Sequence, residues 1–183
     1  MKKNLILFFA LIMFSASAFG YSYPRWRSMP IRVYIPQYGD YSRLMVKAFN
    51  DWQKKSGDNV YFKAVSNQRD ADIYVGFVDH VTSCHDGNAV GCTVCSTRNG
   101  FFQQNYIEIG TKETKMIAHH GKVEKVENQR SPEHIYGVML HEVGHALGLN
   151  HSGNKDSIMY PYDLDELQYV TDNDLKLLLE KYR

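Results

Sequence analysis

The chain has 183 residues, 44% of them hydrophobic and 22% charged, which suits one domain with a real core and excludes a largely disordered chain. Its 21 basic and 20 acidic side chains leave a formal charge of +1 at neutral pH, so the basic footprint of a nucleic-acid-binding protein is absent.

At the amino terminus Lys2 and Lys3 precede an apolar run over residues 5–14 and a small-residue stretch over 15–20. This reads as a secretory signal peptide, residues 1–20, whose apolar part is too short for a membrane span. Cleavage follows Ala18 or Gly20. Residues 21–183 then form a single exported domain with formal charge −1, a monomer without a membrane anchor.

Residues 21–30, aromatic, basic and turn-rich, read as an extended arm. Ile31, Val33 and Ile35 alternate with Arg32 and Tyr34, predicting a first strand that Pro36 and Gly39 close. Over residues 42–56, Met45, Ala48, Phe49 and Trp52 recur at helical spacing, with Asp40 or Ser42 as the cap and Gly57 after the end. Residues 60–65 and 71–78 read as two further strands, the latter with Ile73, Val75 and Phe77 on one face. Strand, helix, strand, strand predicts an α+β fold, an α/β sandwich.

Residues 79–104 have little periodicity and read as a long loop. They contain all three cysteines, Cys84, Cys92 and Cys95, for which an exported chain predicts one disulfide and one free thiol, with the pairing open. The alternative is a tetrahedral metal site completed by His85. Ile107 and Ile109 mark a strand over 105–110, placed at the sheet edge, where an extended peptide can pair. Residues 111–130 are polar and carry no assigned element. Ser131 and Pro132 start a helix with an apolar face of Ile135, Val138, Met139, Val143, Ala146 and Leu147. The chain closes with a helix from Thr171, with Asp174 at capping-box spacing and Leu175, Leu178 and Leu179 as its stripe.

The chemistry concentrates in residues 141–151, HEVGHALGLNH. His141 and His145, one helical turn apart, share a face and can grip one ion. Glu142 points to a neighbouring direction, where it reaches a water without occupying the metal. Gly148 lets the chain turn back and present His151. Three imidazoles leave the fourth position of a tetrahedral zinc open, the arrangement of a catalytic site. Zinc would lower the pKa of a water to about 7 and polarise a carbonyl, with Glu142 as base and then acid. The other histidines, His80, His85, His119, His120 and His134, read as solvated or hydrogen-bonded.

The run His141, Glu142, His145, Gly148, His151, followed by Met159, resembles the metzincin zinc peptidases. Ser152 and Met159-Tyr160-Pro161 resemble the matrixins, the matrix-metalloproteinase-like group. The resemblance implies a twisted, mostly parallel sheet of five strands with an antiparallel edge strand bounding an active-site cleft, and three helices. It further implies a zinc endopeptidase with Met159 in a structural turn and substrate lying extended along the edge strand, placed at residues 105–110. Tyr160, Pro161 and Tyr162 are the candidate pocket wall. The chain departs from the family in three places: the cysteine-containing prosegment is missing, Tyr162 follows Pro161 directly, and the structural-zinc and calcium-loop patterns are absent. Neither calcium nor a second zinc is therefore assumed. The alternative function is a catalytically inactive, zinc-stabilised peptide-binding module, separated from the enzyme by what Glu142 does.

Overall fold

The computed structural model describes residues 24–85, 87–119, 122–162 and 168–182. The signal peptide lies outside the described residues.

A five-stranded sheet carries the fold, with spatial order β2-β1-β3-β5-β4. Its strands are β1 (Ile31–Tyr34), β2 (Phe62–Ala64), β3 (Ile73–Val78), β4 (Gly91–Arg98) and β5 (Phe101–Gly110). All neighbours run parallel except β4, which pairs antiparallel with β5. Helix α1 (Asp40–Lys55) supplies the crossover that the parallel pair β1 and β2 requires. Alternation decides which face is covered: Ile31, Val33, Ile73, Val75, Ile107 and Ile109 point to one side and are buried. Met45, Ala48, Phe49 and Trp52 of α1 and Ile135, Met139, Leu140 and Val143 of α2 (Pro132–Ala146) complete that core. With α3 (Asp172–Tyr182), the five-stranded mixed sheet and three helices expected from the resemblance are present.

Several boundaries differ from the expectation. Gly39, at φ 56°, precedes α1, and neither Asp40 nor Ser42 caps it. The Ser42 hydroxyl instead donates to the Pro36 carbonyl and accepts from the Tyr38 amide, bracing the turn before the helix.

The larger correction concerns residues 79–104. They are not one loop, because β4 and the start of β5 lie within them, joined at Asn99 and Gly100, both with positive φ. An Asn-Gly pair with that backbone is the preferred two-residue hairpin turn. Residues 105–110 consequently sit inside the sheet, between β3 and β4, and the edge strand is β4. Apart from that turn, only residues 79–85 and 87–90 of the described residues in this span remain a loop. Glu108 holds it by accepting the amides of Thr82 and Ser83 at 2.9 and 2.8 Å, and a Cys84–Cys92 disulfide ties it to β4.

Residues 111–130 also form structure, the antiparallel hairpin β6 (Lys112–His119) and β7 (Lys122–Gln129). The extended arm docks on the domain: Trp26 is buried, its indole N–H donates to the Ala146 carbonyl at 2.9 Å, and Arg25 bridges to Phe101.

Candidate metal centre and cleft

Helix α2 ends where Gly148 takes φ 94°, and the Leu149 amide returns to the Gly144 carbonyl at 2.9 Å. That turn also orients His145, because the Leu149 carbonyl accepts the His145 Nδ1 proton at 2.8 Å. One turn earlier His141 donates from Nδ1 to the Ile158 carbonyl at 2.7 Å. Each bond fixes a tautomer and leaves Nε2 as a free lone pair. His151 arrives from beyond the turn, and the candidate ligand atoms of His141, His145 and His151 lie within 4.8 Å of one another. The donor set fits zinc: three imidazoles, two of them oriented by backbone carbonyls. Burial, helped by the His145 ring, pushes His141 down to about 3, and burial with His151 pushes His145 down to about 4. Both are thereby kept in the neutral form that ligates a metal.

Glu142 is buried beside them. The Thr93 hydroxyl of β4 lies 2.6 Å from its Oε2 and donates to it. A Cβ at Gly91 would come within 2.6 Å of Oε1, so only glycine lets the edge strand approach this closely. Burial raises the Glu142 carboxyl to about 7, against the opposing pull of Thr93.

Met159 is fully buried in the turn after the third histidine. Its Sδ occupies the space a side chain at Gly144 would fill, so the thioether packs on the backbone of α2. Asp174 at the start of α3 secures the same turn, accepting the Ser157 hydroxyl and the Ile158 amide.

These groups open onto a cleft of about 970 Å³ walled by Gly91, Thr93 and Cys95 of β4, by Val138, His141, Glu142 and His145 of α2, and by Pro161 and Tyr162. Of the pocket residues expected from the sequence, Pro161 and Tyr162 line it, whereas Tyr160 packs edge-on against Tyr162 at 5.7 Å. The disulfide removes the metal site considered for Cys84, His85, Cys92 and Cys95, and Cys95 is the free, exposed thiol. His134 is exposed, and His80 lies 3.3 Å from Glu127. Among the described residues the His141, His145, His151 group is the one cluster able to hold a metal. Sequence reasoning missed Thr93 and Gly91, although Asn99-Gly100 was a signal that residues 91–98 form a hairpin strand.

A mixed sheet with an antiparallel edge, a His-Glu-His helix, a third histidine beyond a glycine turn and a buried methionine turn together define a metzincin-type domain. The matrixin family model matches residues 34–182, and the chain belongs to the matrixin family. Two relatives align over shorter stretches. One, from Trichoplusia ni ascovirus 2c and named "Putative matrix metalloproteinase", is 51% identical over 41 residues, 22% of this chain and 8% of the relative. The other, matrix metalloproteinase-26 of Homo sapiens, is 44% identical over 45 residues, 25% of this chain and 17% of the relative. The chain thus aligns with less than a fifth of either relative's length.

Proposed function

We propose that this protein is an exported endopeptidase that hydrolyses peptide bonds of protein substrates, with Glu142 as general base and His141, His145 and His151 holding one zinc ion. The observation that carries the reading is the buried Glu142 carboxylate beside three clustered imidazoles, two of them oriented by backbone carbonyls, in an open cleft. A binding module has no use for a costly buried carboxylate next to the metal.

Zinc held by the three imidazoles supplies Lewis acidity, lowering the pKa of water to about 7 and polarising the scissile carbonyl. The protein's part is positional. The carbonyls of Ile158 and Leu149 hold two imidazoles in the ligating tautomer. Glu142 Oε1 takes the proton of the attacking water and passes it to the leaving amine, while Thr93 keeps Oε2 in place. Substrate lies extended beside β4, whose outer edge offers unpaired backbone groups, rather than beside residues 105–110, which are paired on both sides. The amino-terminal lysines, apolar run and small residues support export.

The test is a digest of a mixed peptide library read by mass spectrometry, with zinc counted per chain. Wild type with one zinc cleaves, and Glu142→Ala keeps the zinc while its rate falls by about 10²–10⁴. A zinc-loaded wild type that cuts nothing leaves the peptide-binding module as the reading.

A further inference from the structure

The hairpin β6–β7 takes no part in the chemistry above. It is fastened at its root, where the Lys112 amide donates to the Asp79 carbonyl at 2.9 Å, the Arg130 amide to the Thr111 carbonyl at 2.7 Å, and the Tyr41 hydroxyl to the Arg130 carbonyl at 2.5 Å. Lys112 also pairs with Asp79, and His80 with Glu127. Beyond these ties each strand pairs with the other, from Lys112 opposite Gln129 to His119 opposite Lys122. At about 3.3 Å per residue the arm is about 25 Å long.

Three large apolar side chains of its distal half are open to solvent: Met116 is 67% exposed, Val123 63% and Ile117 45%. Register decides how they are arranged. Met116 stands opposite Lys125 and Ala118 opposite Val123, so Met116, Ala118 and Val123 share one face. Ile117, opposite Glu124, belongs to the other face. A protein partner meets one face of a ribbon. Apolar groups on both faces of the same end fit an environment that surrounds the end, which is what the acyl region of a lipid layer offers. A lone two-stranded ribbon has no second layer under which to bury them. The charge around them has a sign as well: Lys122 and Lys125 outnumber Glu124 in the distal half, while Lys115 is paired with Glu113 at 2.5 Å. Lysine stems lie along apolar surface while their ammonium groups reach anionic headgroups.

We propose that the distal end of this hairpin, Met116, Ile117 and Val123 flanked by Lys122 and Lys125, docks on the surface of an anionic phospholipid bilayer. The contact proposed is peripheral and reversible, made by side chains of the hairpin; among the described residues no helix is long and apolar enough to cross a membrane. The root of the arm adjoins the cleft, because Arg130 lines the cleft and donates from Nε to the Lys112 carbonyl at 3.0 Å. Docking therefore holds the cleft near the bilayer, where membrane-associated polypeptides are the accessible substrates. The lipid contact does not depend on the peptidase reading, and its test needs no activity.

The experiment is co-sedimentation of the exported chain with vesicles of phosphatidylcholine, with and without phosphatidylglycerol. The protein binds the anionic vesicles at least about tenfold better, and salt reduces the binding by screening. Replacing Met116, Ile117 and Val123 together by serine, or Lys122 and Lys125 together by glutamine, lowers binding about tenfold with the thermal midpoint unchanged. Met116→Trp gives a blue-shifted emission on anionic vesicles. Equal binding to both vesicle types, no binding to either, or unaltered binding by the serine variant overturns the proposal. So does a serine variant that slows cleavage of a folded protein but not of a short peptide while vesicles stay unbound, because the arm would then be a protein-docking element.

Discussion

Thr93 has one hydroxyl proton to give, and its geometry favours the Glu142 carboxylate oxygen at 2.6 Å over the Glu142 carbonyl at 3.0 Å. That bond holds one oxygen of the carboxylate, Oε2, and under the proposed mechanism leaves Oε1 to take the proton. A hydrogen bond to a charged group contributes about 1.5–3 kcal/mol, which corresponds to about 10- to 100-fold in rate if it acts on the transition state. Thr93→Val should therefore lower kcat by about that factor with KM and zinc content unchanged, and Thr93→Ser should restore most of it. Equal activity of the valine and serine variants would show that the hydroxyl positions nothing. The cluster of His141, His145 and His151 could be read directly from the sequence because their relation is local, one helical turn and one glycine stop. Thr93 could not, because it reaches Glu142 across 49 residues of chain through the packing of β4 on α2.

At the scale of elements, the methionine turn is held by another element rather than by its own sequence. The Asp174 carboxylate, fully buried, accepts the Ser157 hydroxyl, the Ile158 amide at 3.0 Å, and the Thr171 amide and hydroxyl at 3.1 and 2.6 Å. The capping box at Thr171 and Asp174 was visible as spacing, but its second role, fastening α3 to the turn behind His151, was not. Asp174→Ala strands several buried donors and should cost about 3–5 kcal/mol in urea unfolding of the metal-free protein. A cost under about 1 kcal/mol would mean that the turn stands without α3. The elements overlooked in the sequence share a physical cause. Period-two reading depends on one face being buried, and β4 alternates glycine, threonine and cysteine on its cleft side while β6 and β7 bury neither face. Strands β1, β3 and β5 bury isoleucine and valine against helices, and those were visible.

For the whole molecule, folding the metal-free chain means burying two imidazoles uncharged and one carboxyl that prefers its proton. His141 and His145 are held well below the ordinary 6.5, so below that pH the unfolded chain takes up two protons that the folded one refuses. Glu142 acts with the opposite sign. Its folded value of about 7 lies above the ordinary 4.5, so between those two values the folded state holds the extra proton. In the window from about 4.5 to 6.5 the balance is one net proton favouring the unfolded state, and stability should rise with pH by about 1.4 kcal/mol per unit. Below that window Glu108 and Asp72 add loss of the same sign. Burial opposes both, but the Ser83 and Thr82 amides hold Glu108, and Arg32 holds Asp72, below the usual carboxylate range. Glu142→Gln removes the opposing term, so its slope in the same window should steepen to about 2.7 kcal/mol per unit. Urea unfolding of both chelator-treated proteins at several pH values measures the two slopes. Parallel slopes would show that Glu142 does not hold its proton in the folded protein, and that the Thr93 bond outweighs burial.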